Sequence, residues 1–182
     1  MVGLSLARER LKSKCAWRHD AHMEPIEIRR FVAADRDWLV EQHEVHYARD
    51  EGFDATFGAL VAQIVDAFLA DHDAKCEAGW MAWQAGERLG SIFCVKLNDT
   101  TAKLRLFLLT PEARGRGLGK RMLATCTGFA RDCGYTGMQL WTHESHRAAG
   151  ALYAKNGWTL EDEKSVVSFG KPNVEQTWTI KL

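Results

Sequence analysis

The sequence lacks the features that mark disulfide-stapled, zinc-binding and membrane-spanning proteins. Its five cysteines are odd in number, scattered and never spaced as C-x-x-C, which argues against a disulfide framework or a metal site and favours a reducing compartment. No apolar run reaches the roughly 18–20 residues that span a bilayer. Basic and acidic residues balance at 24 each, so no overall field favours nucleic acid or a membrane surface. We therefore expect a cytoplasmic protein with neither of these partners.

The length and composition are those of one globular domain. The chain has 182 residues, of which 46% are hydrophobic and 26% charged. A chain of this size can bury roughly 68–75% of its unfolded surface. Residues 1–22 are locally basic, and we expect them to form a flexible extension, with a basic amphipathic helix for a partner as the alternative. Residues 23–182 are expected to form the domain.

The most informative stretch runs from Leu106 to Ala124. It begins as an apolar strand, breaks at Thr110-Pro111, crosses a loop of alternating Arg and Gly, and resumes as a helix. No Ser, Thr, Asp or Asn precedes the helix to cap it, which leaves its first N–H groups without a side-chain partner. The loop adds three glycines and three cations: Gly115, Gly117, Gly119, Arg114, Arg116 and Lys120. Free donors, a helix dipole and cations together predict a diphosphate site.

Two common phosphate loops are excluded by spacing. A P-loop needs Gly, four residues, then Gly-Lys-Ser/Thr, but Arg114 holds the first Gly position and Arg121 follows Gly119-Lys120. The dinucleotide pattern G-x-G-x-x-G fails because Lys120 stands where its last Gly should be. The loop instead reads Arg-Gly-x-Gly-x-Gly.

Hydrophobic periodicity gives the element order β-α-α-β-β-β-α-β-α-β-β. The first helix is expected to begin at an Asp35 N-cap and end at Gly52, and the second carries a core-facing stripe from Phe57 to Leu69. Three successive strands predict an antiparallel meander. The strand–helix–strand unit around the glycine loop predicts a right-handed parallel crossover.

This order, the glycine loop and the segment Leu152-Tyr-Ala-Lys-Asn-Gly-Trp158 resemble the GNAT superfamily of acyl-CoA-dependent N-acyltransferases over about residues 26–182. The resemblance implies an α/β (α+β) GNAT fold, with a mixed, mostly antiparallel sheet of about six to seven strands flanked by four helices. Leu140-Trp-Thr142 and Phe169-Gly170 are similar to the acetyltransferase half of bacterial proteins that fuse a MarR-type DNA-binding region to a GNAT domain. Residues 1–25 are too short for that DNA-binding half.

The resemblance also implies a donor and a set of site residues. Acetyl-CoA would be the acyl donor, no metal would be needed, and Tyr153 would be the general acid that protonates the leaving thiolate. The amide of Leu109 would stabilise the oxyanion. His146 stands where the family often carries Asn. The implied cofactor-binding residues are Phe107, Leu108, Leu109, Arg114, Gly115, Arg116, Gly117, Leu118, Gly119, Lys120 and His146.

The acceptor side stays open. The fourth strand offers Lys103 and Arg105 rather than a carboxylate, so the base is Glu51, His143, Glu144 or a water chain. We expect direct transfer of an acetyl group to the primary amine of a small molecule or peptide in a ternary complex. The alternatives are a catalytically silent CoA-binding sensor and a regulatory subunit beside a separate DNA-binding protein. Monomer and homodimer are both compatible with the sequence.

Overall fold

The computed structural model describes residues 24–182. One seven-stranded sheet runs through this part of the chain in the order β1-β2-β3-β4-β5-β7-β6. The strands are β1 Glu27–Arg30, β2 Ala78–Gln84, β3 Glu87–Lys96, β4 Thr101–Leu109, β5 Gly137–His143, β6 Thr159–Ser168 and β7 Lys171–Lys181. The β2-β3-β4 meander is antiparallel and β5 joins β4 in parallel, which confirms the expected meander and the expected parallel pairing.

Four α-helices flank the sheet: α1 Arg36–Glu51, α2 Ala55–Ala70, α3 Leu118–Asp132 and α4 Arg147–Lys155. One apolar core joins α1 and α2 to one face through residues such as Val65 and Phe93, and a second joins α3 and α4 to the other through Met122 and Trp178. Number and order of elements confirm the predicted GNAT fold. None of the helices within residues 24–182 is long and apolar enough to cross a bilayer.

Local signals set the ends of the first two helices. Helix α1 ends at Gly52, whose φ of 69° is the left-handed conformation that glycine adopts without strain. Asp54 caps α2 by accepting a hydrogen bond from the Thr56 amide at 3.0 Å. The apolar stripe of α2 is buried as its period predicts.

Asp35 holds the N-cap position of α1, as expected, but its side chain does not cap the helix. Asp35 belongs to a 3₁₀ turn, Ala33–Asp35, and makes no cap hydrogen bond to α1. Its carboxylate instead accepts from the Val32 amide at 3.1 Å and pairs with Arg88 of β3 at 2.8 Å. The Asp35 carboxylate is bound by Arg88, which lies on a strand distant in sequence, and the local sequence around Asp35 cannot reveal such a partner.

A bulge in β4 opens the sheet. Ser91 pairs with Leu108 and Phe93 with Arg105, so two β4 residues oppose one β3 residue, and Leu106 takes a positive φ of 49°. The ladder between β4 and β5 stops at Leu104, and from Arg105 onward β4 has no pairing with β5. A wedge-shaped split therefore separates the carboxyl ends of these two parallel strands.

We predict that Gly90→Ala destabilises the fold at the wall of this split. A Cβ at Gly90 would clash with the carbonyl oxygen of Leu108 and would lie 2.7 Å from Leu109 Cδ2. Overpacking of this kind costs about 1–3 kcal/mol of unfolding free energy. The matched control is Gly128→Ala in α3, where a Cβ meets no atom within 4 Å. This control should gain about 0.5–1 kcal/mol, and a Gly90→Ala protein as stable as wild type in urea would contradict the assigned register.

Candidate functional site

Two cavities meet at the split between β4 and β5. The loop cavity, of about 670 Å³, lies against the glycine loop and the first turn of α3. The aromatic cavity, of about 740 Å³, lies between α2, β4 and β5. Tyr47, Phe107, His146 and Ala149 line both cavities and mark their junction. A ligand in one cavity can therefore meet a ligand in the other at these four residues.

The wall of the loop cavity at the start of α3 is a set of free backbone donors. Gly117 is the N-cap with φ 75° and makes no side-chain cap hydrogen bond. The first amide of the helix to reach a loop carbonyl is that of Arg121, at 3.2 Å from Gly117 O. Within the described residues, the amides of residues 118–120 are without a backbone acceptor. These donors and the helix dipole favour an anion.

Most of the predicted donor-site residues line the loop cavity: Phe107, Leu108, Leu109, Arg114, Gly115, Gly117, Gly119, Lys120 and His146. Arg116 is exposed and does not line it. Leu118 is 1% exposed in the core, so only its backbone faces a ligand. A Cβ at Gly119 would lie 3.2 Å from Leu152 Cδ2, so the missing side chain leaves room for a narrow ligand. The cavity therefore combines backbone donors and cations at the start of α3 with free space beside Gly119.

Two charged residues of this cavity were missed by sequence reasoning. Asp50 lies 3.8 Å from the Arg114 guanidinium, and Arg147 lines the cavity as the first residue of α4. Asp50 gives no signal in sequence because its contact depends on how α1 packs. Arg147 could have been noticed, since a cation in the first turn opposes the helix dipole and needs a reason.

The amide of Leu109 points into the split. Thr110 N–H donates to Leu89 O on β3 at 3.0 Å. Because backbone groups alternate in direction along an antiparallel strand, the preceding N–H points away from β3. The Leu109 carbonyl, which points to the same side as the Leu109 N–H, also faces away from β3, since it accepts a hydrogen bond from Arg114 Nε at 3.3 Å. The split thus has a backbone donor at the position that the resemblance implied.

Tyr153 projects from α4 into the aromatic cavity as a buried phenol. Its side chain is 4% exposed, with the ring 6.4 Å from that of Phe107 between centroids. Burial, reinforced by the nearby Tyr47, raises the pKa of the phenol well above its ordinary value. Its hydroxyl makes no hydrogen bond to any other residue in 24–182, and a phenol held protonated in a cavity can donate a proton.

His146 is held as a neutral ring between two partners. Its Nε2 lies 3.2 Å from Glu51 and its Nδ1 3.1 Å from the Thr142 hydroxyl. Burial lowers the pKa of His146, and the Glu51 carboxylate opposes this. A carboxylate can only accept, so Nε2 carries the proton and Nδ1 accepts from Thr142. Both ring nitrogens are already used, so a hydrogen bond from His146 to the donor arm requires exchange of the Glu51 contact.

The three side chains considered as bases lie in different places. Glu51 lines the loop cavity beside the junction, and His143 lines the aromatic cavity. Glu144 is exposed and lines neither. His143 is 2% exposed, its Nε2 has no partner among the described residues, and burial lowers its pKa to about 4. Position favours Glu51, which lies beside the junction and is a carboxylate in contact with His146 at 3.2 Å.

Comparison with known protein families agrees with this fold. Residues 32–158 match the acetyltransferase (GNAT) family profile, and the chain belongs to that family. It is 30% identical over 108 residues to N-acetyltransferase 8 of Rattus norvegicus and 27% identical over 114 residues to N-acetyltransferase 8F1 of the same species. These matches cover 57% and 60% of this chain, and the chain spans about half the length of each relative, 47% and 50%.

Solved structures agree on the fold. A GNAT acetyltransferase from Streptococcus pneumoniae superposes with a TM-score of 0.69 at 19% identity, over 87% of this chain and 100% of the other. A Salmonella typhimurium protein solved with its cofactor acetyl-CoA superposes with a TM-score of 0.67 at 18% identity, over 86% of this chain and 94% of the other. Spermidine N-acetyltransferase from Vibrio cholerae, solved with CoA and spermine, superposes with a TM-score of 0.67 at 13% identity, over 86% of this chain and 95% of the other. The narrower similarity to MarR–GNAT fusion proteins stays a prediction.

The buried histidines predict a pH-dependent stability. His43, hydrogen bonded through Nδ1 to Leu39 O at 2.8 Å, is also 2% exposed, and burial lowers its pKa to about 4. As the pH falls below 6.5, His43 and His143 become protonated in the unfolded chain. In the folded protein the same two imidazoles stay neutral until about pH 4. The contribution of these two histidines to the free energy of unfolding is therefore fully present above pH 6.5. It declines toward pH 4, by up to about 1.4 kcal/mol per pH unit for each histidine.

Urea unfolding at pH 7 and pH 5 measures this slope. His43→Leu should reduce the slope because the leucine cannot take up a proton in the unfolded chain. A wild-type stability that is the same at both values of pH would show that these imidazoles are not held neutral.

Proposed function

We propose that the protein transfers the acetyl group of acetyl-CoA to a primary amine, by direct attack of the amine within a ternary complex. The observation that carries this proposal is the junction of two cavities at a split sheet edge. An anion site lies on one side of the junction and a buried phenol on the other. Family membership supports the reaction class.

The loop cavity is proposed as the donor site. The amides of residues 118–120, with Arg114 and Lys120, would bind the diphosphate, and the free edge of β4 would hold the pantetheine arm. Acetyl-CoA supplies the activated thioester. In the protein, the Leu109 amide would stabilise the negative charge that develops on the carbonyl oxygen, a contribution typically worth about 10²–10³ in rate.

Two proton transfers complete the proposed reaction. Glu51 lies beside the junction and takes the proton that the ammonium must lose before attack, directly or through water. Tyr153 gives its phenolic proton to the departing thiolate, since burial keeps that proton on the oxygen. His146 positions Glu51 through the 3.2 Å contact and touches both cavities.

Tyr153→Phe should lower kcat about 10²–10⁴-fold, the range typical of a lost general acid. The affinity for CoA measured by calorimetry should stay within a few-fold, because the hydroxyl lies outside the loop cavity. Tyr135→Phe is the matched control, since Tyr135 is also buried but donates to Cys76 O at 3.4 Å, away from the split.

Full activity of Tyr153→Phe would remove the tyrosine from the mechanism. A wild-type protein that binds CoA yet acetylates no member of a broad amine panel would instead favour the silent CoA-binding module.

Arg114→Ala should raise KM for acetyl-CoA about tenfold or more, because a hydrogen bond to a charged group contributes about 1.5–3 kcal/mol. The value of kcat should change little, since Arg114 contacts the diphosphate end. Arg131→Ala, in the last turn of α3, removes an equal charge far from the loop and serves as control. Equal effects of the two substitutions on KM would indicate general electrostatics rather than a local site.

A further inference from the structure

The aromatic cavity contains two cations on β4. Lys103 and Arg105 are both partly buried and line it from the sheet side. Their neighbours Ala102 and Leu104 belong to the core under α3 and α4. Because side chains alternate along a strand, Lys103 and Arg105 face the opposite side, toward α2.

Neither cation has a partner within residues 24–182. Other partly buried cations in this fold have polar partners: Arg88 pairs with Asp35 at 2.8 Å, Arg36 pairs with Asp66 at 2.7 Å, and Lys171 donates to the carbonyl oxygen of Glu51 at 2.7 Å. Lys103 and Arg105 make no ion pair or side-chain hydrogen bond in the described part of the chain. Burial lowers the pKa of both groups, and that of Lys103 is lowered further by Arg105.

The other walls do not compensate these charges. Among the described residues that line the aromatic cavity, only Glu175 is acidic, and it forms no ion pair with either cation. The other titratable groups that line it are His43 and Tyr47 of α1, His143 of β5, and His146 and Tyr153 at α4. Burial lowers the pKa of the three imidazoles and raises that of the two phenols, so none of these groups supplies a negative charge. Desolvated positive charge without an internal partner is costly unless a ligand supplies the anion.

We propose that Arg105, supported by Lys103, binds a carboxylate of the acceptor, so that the substrate is an amino acid with a free carboxyl group. This rests on the proposed acetyl transfer and adds the acceptor class. Arg105 lies two residues before Phe107 at the junction, separated from it only by the bulge residue Leu106. A guanidinium reaching from there can form a bidentate pair with a carboxylate next to the reacting amine.

The remaining walls indicate an apolar or aromatic side group on this amino acid. Leu60 and Ile64 of α2 and the half-exposed Trp141 of β5 line the aromatic cavity beside the two cations. The same cations repel polyamines, whose other ammonium groups would enter a cavity that is already positive. Phenylalanine is therefore a suitable probe, and spermine should be a poor acceptor.

The test compares phenylalanine, phenylalaninamide and phenethylamine as acceptors with acetyl-CoA. Wild type should prefer the acid by at least about tenfold in kcat/KM. Arg105→Met, which keeps an apolar stem without the charge, should raise KM for phenylalanine about 10- to 100-fold, the effect expected for a lost charge-assisted hydrogen bond. It should leave phenylalaninamide turnover within a few-fold. Lys103→Met should act in the same direction but less.

Lys96→Met is the matched control, because Lys96 lies at the exposed end of β3 and pairs with Asp99. It should change neither kcat nor KM for phenylalanine or phenylalaninamide. Binding of N-acetylphenylalanine in the presence of CoA, measured by calorimetry, provides a readout without turnover.

Acetylation of amines with no preference for the acid would overturn the carboxylate site and leave acetyl transfer intact. Equal losses on acid and amide in Arg105→Met would also overturn it. If no amine is acetylated but N-acetylphenylalanine binds and Arg105→Met abolishes the binding, the site stands and acetyl transfer fails. No binding and no turnover would contradict the inference.

Discussion

The bulge at Leu106 is the constraint on which the rest of the site depends. It places two β4 residues against one of β3, ends the ladder with β5 at Leu104, and leaves the following edge of β4 without a strand partner there. Ser91 stabilises it by donating to Leu106 O at 2.7 Å. The split follows, and both cavities and the inward-pointing Leu109 amide exist because β4 and β5 separate here.

Around the split, several titratable side chains are buried without an oppositely charged partner, and this determines their protonation. Desolvation keeps His43 and His143 neutral and keeps the Tyr153 proton in place, while His146 is fixed by Glu51 and Thr142. Burial lowers the pKa of the two partly buried cations of the aromatic cavity, Lys103 and Arg105, and neither has an internal ion-pair partner among the described residues. Under the two proposals, they bind an anion on one wall of the cavity, and Tyr153 donates a proton on another.

The fold and the donor loop were predictable because their signals are local. The stripe of α2, the glycines of the loop and the uncapped start of α3 each depend on residues close in sequence. Long-range contacts were not predictable. The capture of Asp35 by Arg88, the Asp50–Arg114 pair and the Glu51–His146 contact all join residues more than 50 positions apart. The bulge was not predictable either, since no residue of β4 signals the positive φ that Leu106 adopts.

The most direct test of the central claim is a crystal structure with CoA bound. The account predicts the diphosphate on the amides of residues 118–120 and the pantetheine arm along the free edge of β4. The terminal sulfur should lie at the junction near Tyr153 and the Leu109 amide. A diphosphate elsewhere, or an arm that leaves the split empty, would contradict the claim that the separation of β4 and β5 creates the site of transfer.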